Sequence, residues 1–334
     1  MELLVLGGTA FLGRAVAAHA LSAGHRVTCA ARGASGDVPP GATLVRVDRD
    51  RPDGLAALSG RSFDAVIDVS SRPSHVRRAV EALSGRVARW TYVSSGSAYA
   101  DTSTPGQRAS TAPLLEPAPP ELDDPKQGAE AYGRCKVACE RAVLDSGVPV
   151  FIRRAGLIVG PGDTSDRFTY WPVRLARGGE VLAPGSPDDL VQYVDVRDLA
   201  AWLVDGTDAG LSGVYDGVGT PMPRGEFLAR ISAAVGRPDA RLTWVDQEFL
   251  AEHEVNPWAG PRSLPLWLPL PEYAGFLTRD VGAALAAGLT TRDLEETASD
   301  TLSWYAGSGE PALSSGLTPE EETALLLAWH ARRG

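Results

Sequence analysis

Lysine is nearly absent from this 334-residue chain: Lys126 and Lys136 are the only two, and arginine supplies the remaining positive charge. The net charge is −10, and no basic cluster runs along any segment. Non-specific nucleic-acid binding rests on neutralising phosphates, so this balance argues against it. No stretch approaches the roughly 20 apolar residues of a membrane helix. The opening run Met1–Leu6 is too short for a signal peptide and has no basic region before it. We therefore expect a cytoplasmic protein with no membrane attachment. Cysteine is also scarce: Cys29, Cys135 and Cys139 are odd in number and lie in apolar or helical contexts. Cys135 and Cys139 have helical spacing but no histidine close in sequence, so no zinc site is expected and the thiols read as reduced. Internal repeats and low-complexity tails are lacking too.

The first half of the chain alternates apolar runs with helical patterns, which predicts a parallel sheet covered by helices. Strands are expected at Leu3–Leu6, Val27–Ala30, Thr43–Val47, Ala65–Val69, Trp90–Ser94 and Pro149–Arg153, with helices at Phe11–Ala23, Pro73–Leu83 and Ala131–Leu144. Residues 101–128 carry Pro105, Pro113, Pro117, Pro119, Pro120 and Pro125. So long a loop in a compact domain is usually functional or mobile, and its place between two motifs predicts an active-site flap. After Arg154 the strand–helix rhythm loosens and tryptophans become frequent. Thr318-Pro319-Glu320-Glu321 reads as a capping box opening a last helix.

Three motifs carry the chemistry. The first strand runs into Gly7-Gly8-Thr9-Ala10-Phe11-Leu12-Gly13, followed by a helix. Glycines there let the backbone approach a pyrophosphate, which rests on the helix N-terminus. The strand-before, helix-after context gives the motif its weight. Second, Tyr132-Gly133-Arg134-Cys135-Lys136 places tyrosine and lysine on one helix face. A neighbouring ammonium favours the phenolate, so the phenol can exchange a proton with an alcohol or ketone. With so few lysines, a chance Tyr-x-x-x-Lys is expected in only roughly 5% of such chains. Third, Thr91-Tyr92-Val93-Ser94-Ser95-Gly96-Ser97-Ala98-Tyr99 ends a strand 37 residues before Tyr132 when counted from Ser95.

Together these segments resemble the short-chain dehydrogenase/reductase superfamily, in its extended or atypical epimerase/dehydratase-like branch. The resemblance is good from residue 1 to about 205 and weak beyond. It also takes in Arg154-Ala155-Gly156-Leu157-Ile158-Val159-Gly160-Pro161 and Val194-Asp195-Val196-Arg197-Asp198-Leu199-Ala200. It implies a Rossmann-type doubly wound parallel sheet over residues 1–155, a returning segment near 188–216, and a smaller substrate-binding domain over 156–334. It implies a catalytic set of Ser95, Tyr132 and Lys136, with Ser94 the neighbouring alternative to Ser95. Gly7, Thr9, Ala10, Phe11, Leu12, Gly13, Arg14, Arg32, Asp48, Ser70, Tyr132, Lys136, Ala155 and Gly156 would hold the cofactor. Asp48 matches the position that contacts the adenine amino group. Ala10 stands where the family usually has its middle glycine.

The end of the second strand, Cys29-Ala30-Ala31-Arg32-Gly33, offers no carboxylate to the adenosine ribose. Arg32, with Arg14 as a second partner, is placed to meet a 2′-phosphate, so NADP is favoured over NAD. The competing reading makes both solvated surface arginines. Gly96 and Ser97 stand where sugar-nucleotide dehydratases carry an Asp-Glu pair, and Leu157 replaces the family's nucleotide-holding asparagine. A reductase or dehydrogenase acting on a small carbonyl or alcohol therefore leads. Epimerisation of a sugar or sugar-like substrate through a transient ketone is the alternative. A non-catalytic cofactor sensor or RNA-binding relative would lose the tyrosine or lysine, and an RNA binder would need a basic surface; this chain shows neither. Substrate contacts are expected at Ser95, Ser97, Arg167, Phe168 and Trp171, with Arg174 nearby, and packing of the smaller domain is the competing reading for the last group. The sequence leaves a homodimer open.

Overall fold

The computed structural model describes residues 1–333 and divides into two compact units. The first comprises residues 1–156, 196–218 and 279–290; the second comprises 157–195, 219–278 and, of the described residues, 291–333.

The first unit is built on near-continuous apolar runs. In β1 (Glu2–Leu6), Leu3, Leu4, Val5 and Leu6 are all buried, as a strand covered on both faces requires. It pairs in parallel with β2 (Arg26–Ala31) on one side and β4 (Ala65–Asp68) on the other. Beyond β2 lies β3 (Thr43–Arg46); beyond β4 come β5 (Trp90–Ser95), β6 (Val150–Ala155) and the strand Gly213–Gly217. All seven are parallel. This is the Rossmann-type order, which reverses at β1 and opens a crevice at the strands' C-terminal ends. Helices α1 (Phe11–Ser22), α2 (Pro73–Ala82) and α3 (Ala129–Leu144) are the crossovers. The seventh strand and the short return 279–290 carry no periodicity that marked them in the sequence.

The second unit has its own core. Phe168 stacks on Tyr193 with ring centroids 6.3 Å apart and meets Phe227 edge-on at 6.0 Å. Strands Glu180–Pro184 and Arg241–Val245 pair in parallel. The last helix, Pro319–Arg333, opens on the expected capping box: Glu321 N donates to Thr318 Oγ1 at 3.2 Å, and Thr318 N to Glu321 Oε2 at 2.9 Å.

Candidate active site

The turn after β1 depends on glycine at two places. Gly7 sits at φ +100°, in the left-handed region that glycine enters freely. A Cβ on Gly13 would lie 2.2 Å from the Gly7 carbonyl oxygen, so only glycine lets α1 begin this close to the loop. The first turn of α1 is left uncapped. Its N-cap, Ala10, provides no side-chain hydrogen bond, and no acidic residue lies in the turn. The unbonded N–H groups and the positive end of the helix are thus left for an anion, which is the fit a pyrophosphate needs.

A groove of about 230 Å³ opens there, lined by Gly7, Thr9, Ala10, Arg32, Asp48 and Ser70 among the residues expected from sequence. Ala34, Ser35, Arg49 and His75 also line it, and the sequence reading missed them. Phe11, Leu12, Gly13 and Arg14 lie outside its lining; Leu12 is buried in the core, and Arg14 Nε donates to the Asp37 carbonyl at 3.3 Å. The Arg32 guanidinium is about two-thirds exposed, and its contact with Asp50 is long, at 3.5 Å. Beneath the groove, Arg49 pairs with the fully buried Asp68 at 3.2 Å.

Helix α3 packs directly on the turn that follows β5. A Cβ on Gly133 would fall 2.1 Å from the Ser97 carbonyl oxygen, so the glycine between Tyr132 and Lys136 permits that approach. Lys136, 2% exposed, donates from Nζ to the Val93 carbonyl at 2.7 Å and to the Ser70 carbonyl at 2.9 Å. Nζ lies 5.1 Å from the Tyr92 ring centre and 5.9 Å from that of Tyr132. The Ser70 carbonyl also accepts the Tyr92 hydroxyl at 2.9 Å, and burial holds the Tyr92 phenol well above its usual range, so it stays a donor. The Ser70 carbonyl at the groove's edge thereby binds both the ammonium and the Tyr92 hydroxyl, and the Val93 carbonyl holds the ammonium from a second side. Tyr92 was not singled out from sequence, although strand alternation places it on the same face as Ser94.

Ser95 is half-exposed, and its Oγ accepts a hydrogen bond from Ser97 N at 3.1 Å, leaving its proton free to donate. Ser94 is 2% exposed and its hydroxyl has no partner among the described residues, so Ser95 is the more accessible of the two serines. Ala155 and Gly156 follow at the end of β6, where Gly156 N donates to the Gly217 carbonyl at 3.3 Å.

A buried ionic network supports this end of the sheet. Glu140 lies on α3 four residues beyond Lys136 and grips Arg154 of β6 through two bonds, of 2.9 and 2.7 Å. Arg154 lies 5.0 Å and Arg279 3.6 Å from the Tyr99 ring centre, and the Tyr99 hydroxyl donates to Asp216 at 2.6 Å. Asp216 in turn bonds Arg279 at 3.3 Å. Arg154 also donates to the Ala109 carbonyl at 3.1 Å, which ties loop 101–128 to the network. Further along, Ala118 N reaches the Arg134 carbonyl at 2.9 Å, and Ser74 N and Oγ both reach Asp123 at 2.6 Å. The loop expected as a flap is therefore laced to α2 and α3 at several points.

Two of the expected substrate contacts are corrected. Phe168 is 0% exposed within the aromatic core of the second unit, and Trp171 is 1% exposed with Nε1 donating to the Pro265 carbonyl at 3.1 Å. Neither has surface to offer, and packing explains both. Arg174 is also buried, bonded to Glu322 and to the Gly178 carbonyl. Arg167 is half-buried; its Nε donates to Ser165 Oγ at 3.0 Å, and its guanidinium lies 5.1 Å from the Trp258 ring centre. No cluster able to hold a metal ion exists among the described residues, and none of their helices is long and apolar enough to cross a membrane.

Comparison with known proteins adds the following. A profile of the NAD dependent epimerase/dehydratase family matches residues 3–205. Curated protein sequences return no match. Among solved structures, the Bordetella bronchiseptica enzyme WbmH in complex with NAD+ superposes with a TM-score of 0.64 at 17% identity, covering 92% of this chain and 98% of its own. WbmG from the same organism, in complex with NAD and UDP, gives 0.65 at 18%, covering 95% and 99%. UDP-glucuronic acid 4-epimerase from Bacillus cereus, in complex with NAD, gives 0.65 at 13%, covering 92% and 99%.

Proposed function

Since the chain belongs to the NAD dependent epimerase/dehydratase family, we propose that it exchanges a hydride between a nicotinamide dinucleotide and a small secondary alcohol or ketone, with Ser95, Tyr132 and Lys136 as the catalytic set. The observation that carries this reading is the Lys136 ammonium, buried between the groove-edge carbonyl of Ser70 and the carbonyl of Val93, beside the Tyr132 ring. Nicotinamide, when bound, supplies or accepts the hydride. Gly7, Thr9, Ala10 and the first turn of α1 would hold its pyrophosphate, and Asp48, which lines the same groove, would serve the adenine. Tyr132 gives the substrate oxygen a proton as a carbonyl becomes an alcohol, and takes it back in the reverse direction. Ser95 donates a hydrogen bond to that oxygen. Two N–H groups of Lys136 are engaged by carbonyls, so its third would be left for the nicotinamide ribose, while the ammonium charge beside the ring favours the Tyr132 phenolate.

The favoured direction is net oxidation or reduction. Leu157, in the place of the family's asparagine, is packed in the core of the second unit and has no hydrogen-bonding group to hold a nucleotide diphosphate. Epimerisation is the second reading, supported by the likeness to a UDP-glucuronic acid 4-epimerase. The two separate in one assay with the full chain, cofactor and a panel of ketones and sugars. Stoichiometric loss of nicotinamide absorbance supports the first; interconversion of stereoisomers without net change in absorbance replaces it with the second.

The cofactor preference proposed is NADP, from the exposed Arg32 and the absence of a carboxylate at the end of β2. Arg46, donating to the Arg32 carbonyl at 3.0 Å, adds positive charge beside it. Fluorescence titration should give tighter binding of NADPH than of NADH; equal or tighter NADH binding would contradict the assignment.

A further inference from the structure

Two carboxylates come from the segment after β3: Asp48 lines the groove, and Asp50 contacts two residues that line it, Arg32 and His75. Asp50 accepts a hydrogen bond from His75 Nε2 at 2.8 Å, and its other oxygen lies 3.5 Å from Arg32 Nη1. Arg32 and His75 both line the groove, one at the end of β2 and the other on α2, so Asp50 links its two walls. Arg72, also at the start of α2, stands 3.9 Å from Asp50 and is itself drawn toward Asp123 and Asp124, at 3.8 and 3.7 Å. The His75 hydrogen bond holds the Asp50 carboxyl below its usual range, so it carries a full negative charge at neutral pH.

We propose that Asp50 sets how strongly this site discriminates NADP from NAD, by competing with the cofactor's 2′-phosphate for Arg32. This rests on the reading of the groove as a dinucleotide site with Arg32 on the adenosine side. A 2′-phosphate that reaches the guanidinium must displace the carboxylate or lie beside it, and both outcomes penalise the doubly charged group. A free 2′-hydroxyl meets no such penalty, because Asp50 can accept its proton in a hydrogen bond. Arg32 thus favours the phosphorylated cofactor while Asp50 narrows the margin, and His75 keeps the carboxylate beside Arg32.

The test is a double-mutant cycle on the full chain, with NADPH and NADH titrated by fluorescence against wild type, Asp50→Asn, Arg32→Ala and the double variant. Thermal melts of all four verify folding. Asp50→Asn should raise the NADPH-over-NADH affinity ratio about fivefold at low salt, the scale of an exposed charge pair, and by less at higher salt. In the Arg32→Ala background the same change should leave the ratio within about twofold. An equal effect of Asp50→Asn on both cofactors overturns the proposal, as does an equal rise in the ratio without Arg32. Binding of neither cofactor to the wild type overturns the groove assignment itself.

Discussion

The two compact units bury different chemistry. In the first, buried charge gathers at the C-terminal ends of the strands: Lys136, Glu140, Arg154, Asp216 and Arg279 are each at most 5% exposed and each bonded. In the second, rings dominate the core, with Tyr170 on Trp171 at 5.0 Å and Phe249 on Trp329 at 5.0 Å. Its buried ion pairs, Arg174–Glu322 and Arg224–Asp189, fasten backbone carbonyls at Gly178 and Pro184. Buried ion pairs stabilise little compared with apolar packing of the same volume. The pairs Arg154–Glu140 and Arg279–Asp216 beside β6 therefore fit a role in holding geometry there, as Arg174–Glu322 and Arg224–Asp189 do in the second unit, whose aromatic core fits a role in stability.

That contrast can be broken at both ends. The largest effect is expected at Glu140→Ala, which strands the Arg154 guanidinium in the core: about 3–5 kcal/mol should be lost in urea unfolding. A loss below about 1 kcal/mol, the scale of an exposed pair, would mean that water reaches the site. Trp171→Phe in the second unit removes the indole donor to Pro265 and some buried area, and should cost about 1–3 kcal/mol while leaving the cofactor Kd unchanged. A weakened Kd in a folded Trp171→Phe protein would show that this core also sets the groove. The smallest effect belongs to an exposed pair. Arg230 grips Glu295 through two 2.7 Å bonds and holds its carboxyl down to about 2, from an ordinary 4.5. A depressed folded value stabilises above about pH 4.5, and the contribution fades as pH falls toward 2. Both partners are at least 32% exposed, so Glu295→Gln should cost no more than about 1 kcal/mol at pH 7, with the difference from wild type shrinking on acidification.

The same contrast governs how much could be read in the sequence. β1, β2, β4, β5, β6 and the glycine loop were legible because strands buried on both faces are unbroken apolar runs, and the turn between β1 and α1 has few chemical solutions. Tyr132 and Lys136 stood out because lysine is so rare. The i, i+4 spacing of Glu140 after Lys136 would have pointed to the wrong partner, since Glu140 bonds Arg154 of β6. Asp50 and Asp216 carried no signal: Asp50 is one of several charged residues in a short loop, and Asp216 gains meaning only when Gly213–Gly217 pairs beside β6. Phe168 and Trp171 misled because aromatic residues after a glycine–proline turn look alike whether they face a ligand or a core.

The measurement closest to the central claim is turnover and cofactor affinity of Tyr132→Phe, on any substrate or surrogate ketone. Removing one phenolic oxygen takes away the proton donor while leaving the glycine loop, Arg32 and the Lys136 carbonyl bonds in place. Turnover should fall by about 10²–10⁴-fold, with the cofactor Kd within about twofold of wild type. A variant that keeps more than about a tenth of wild-type turnover, well short of that loss, would show that Tyr132 is not the acid–base group.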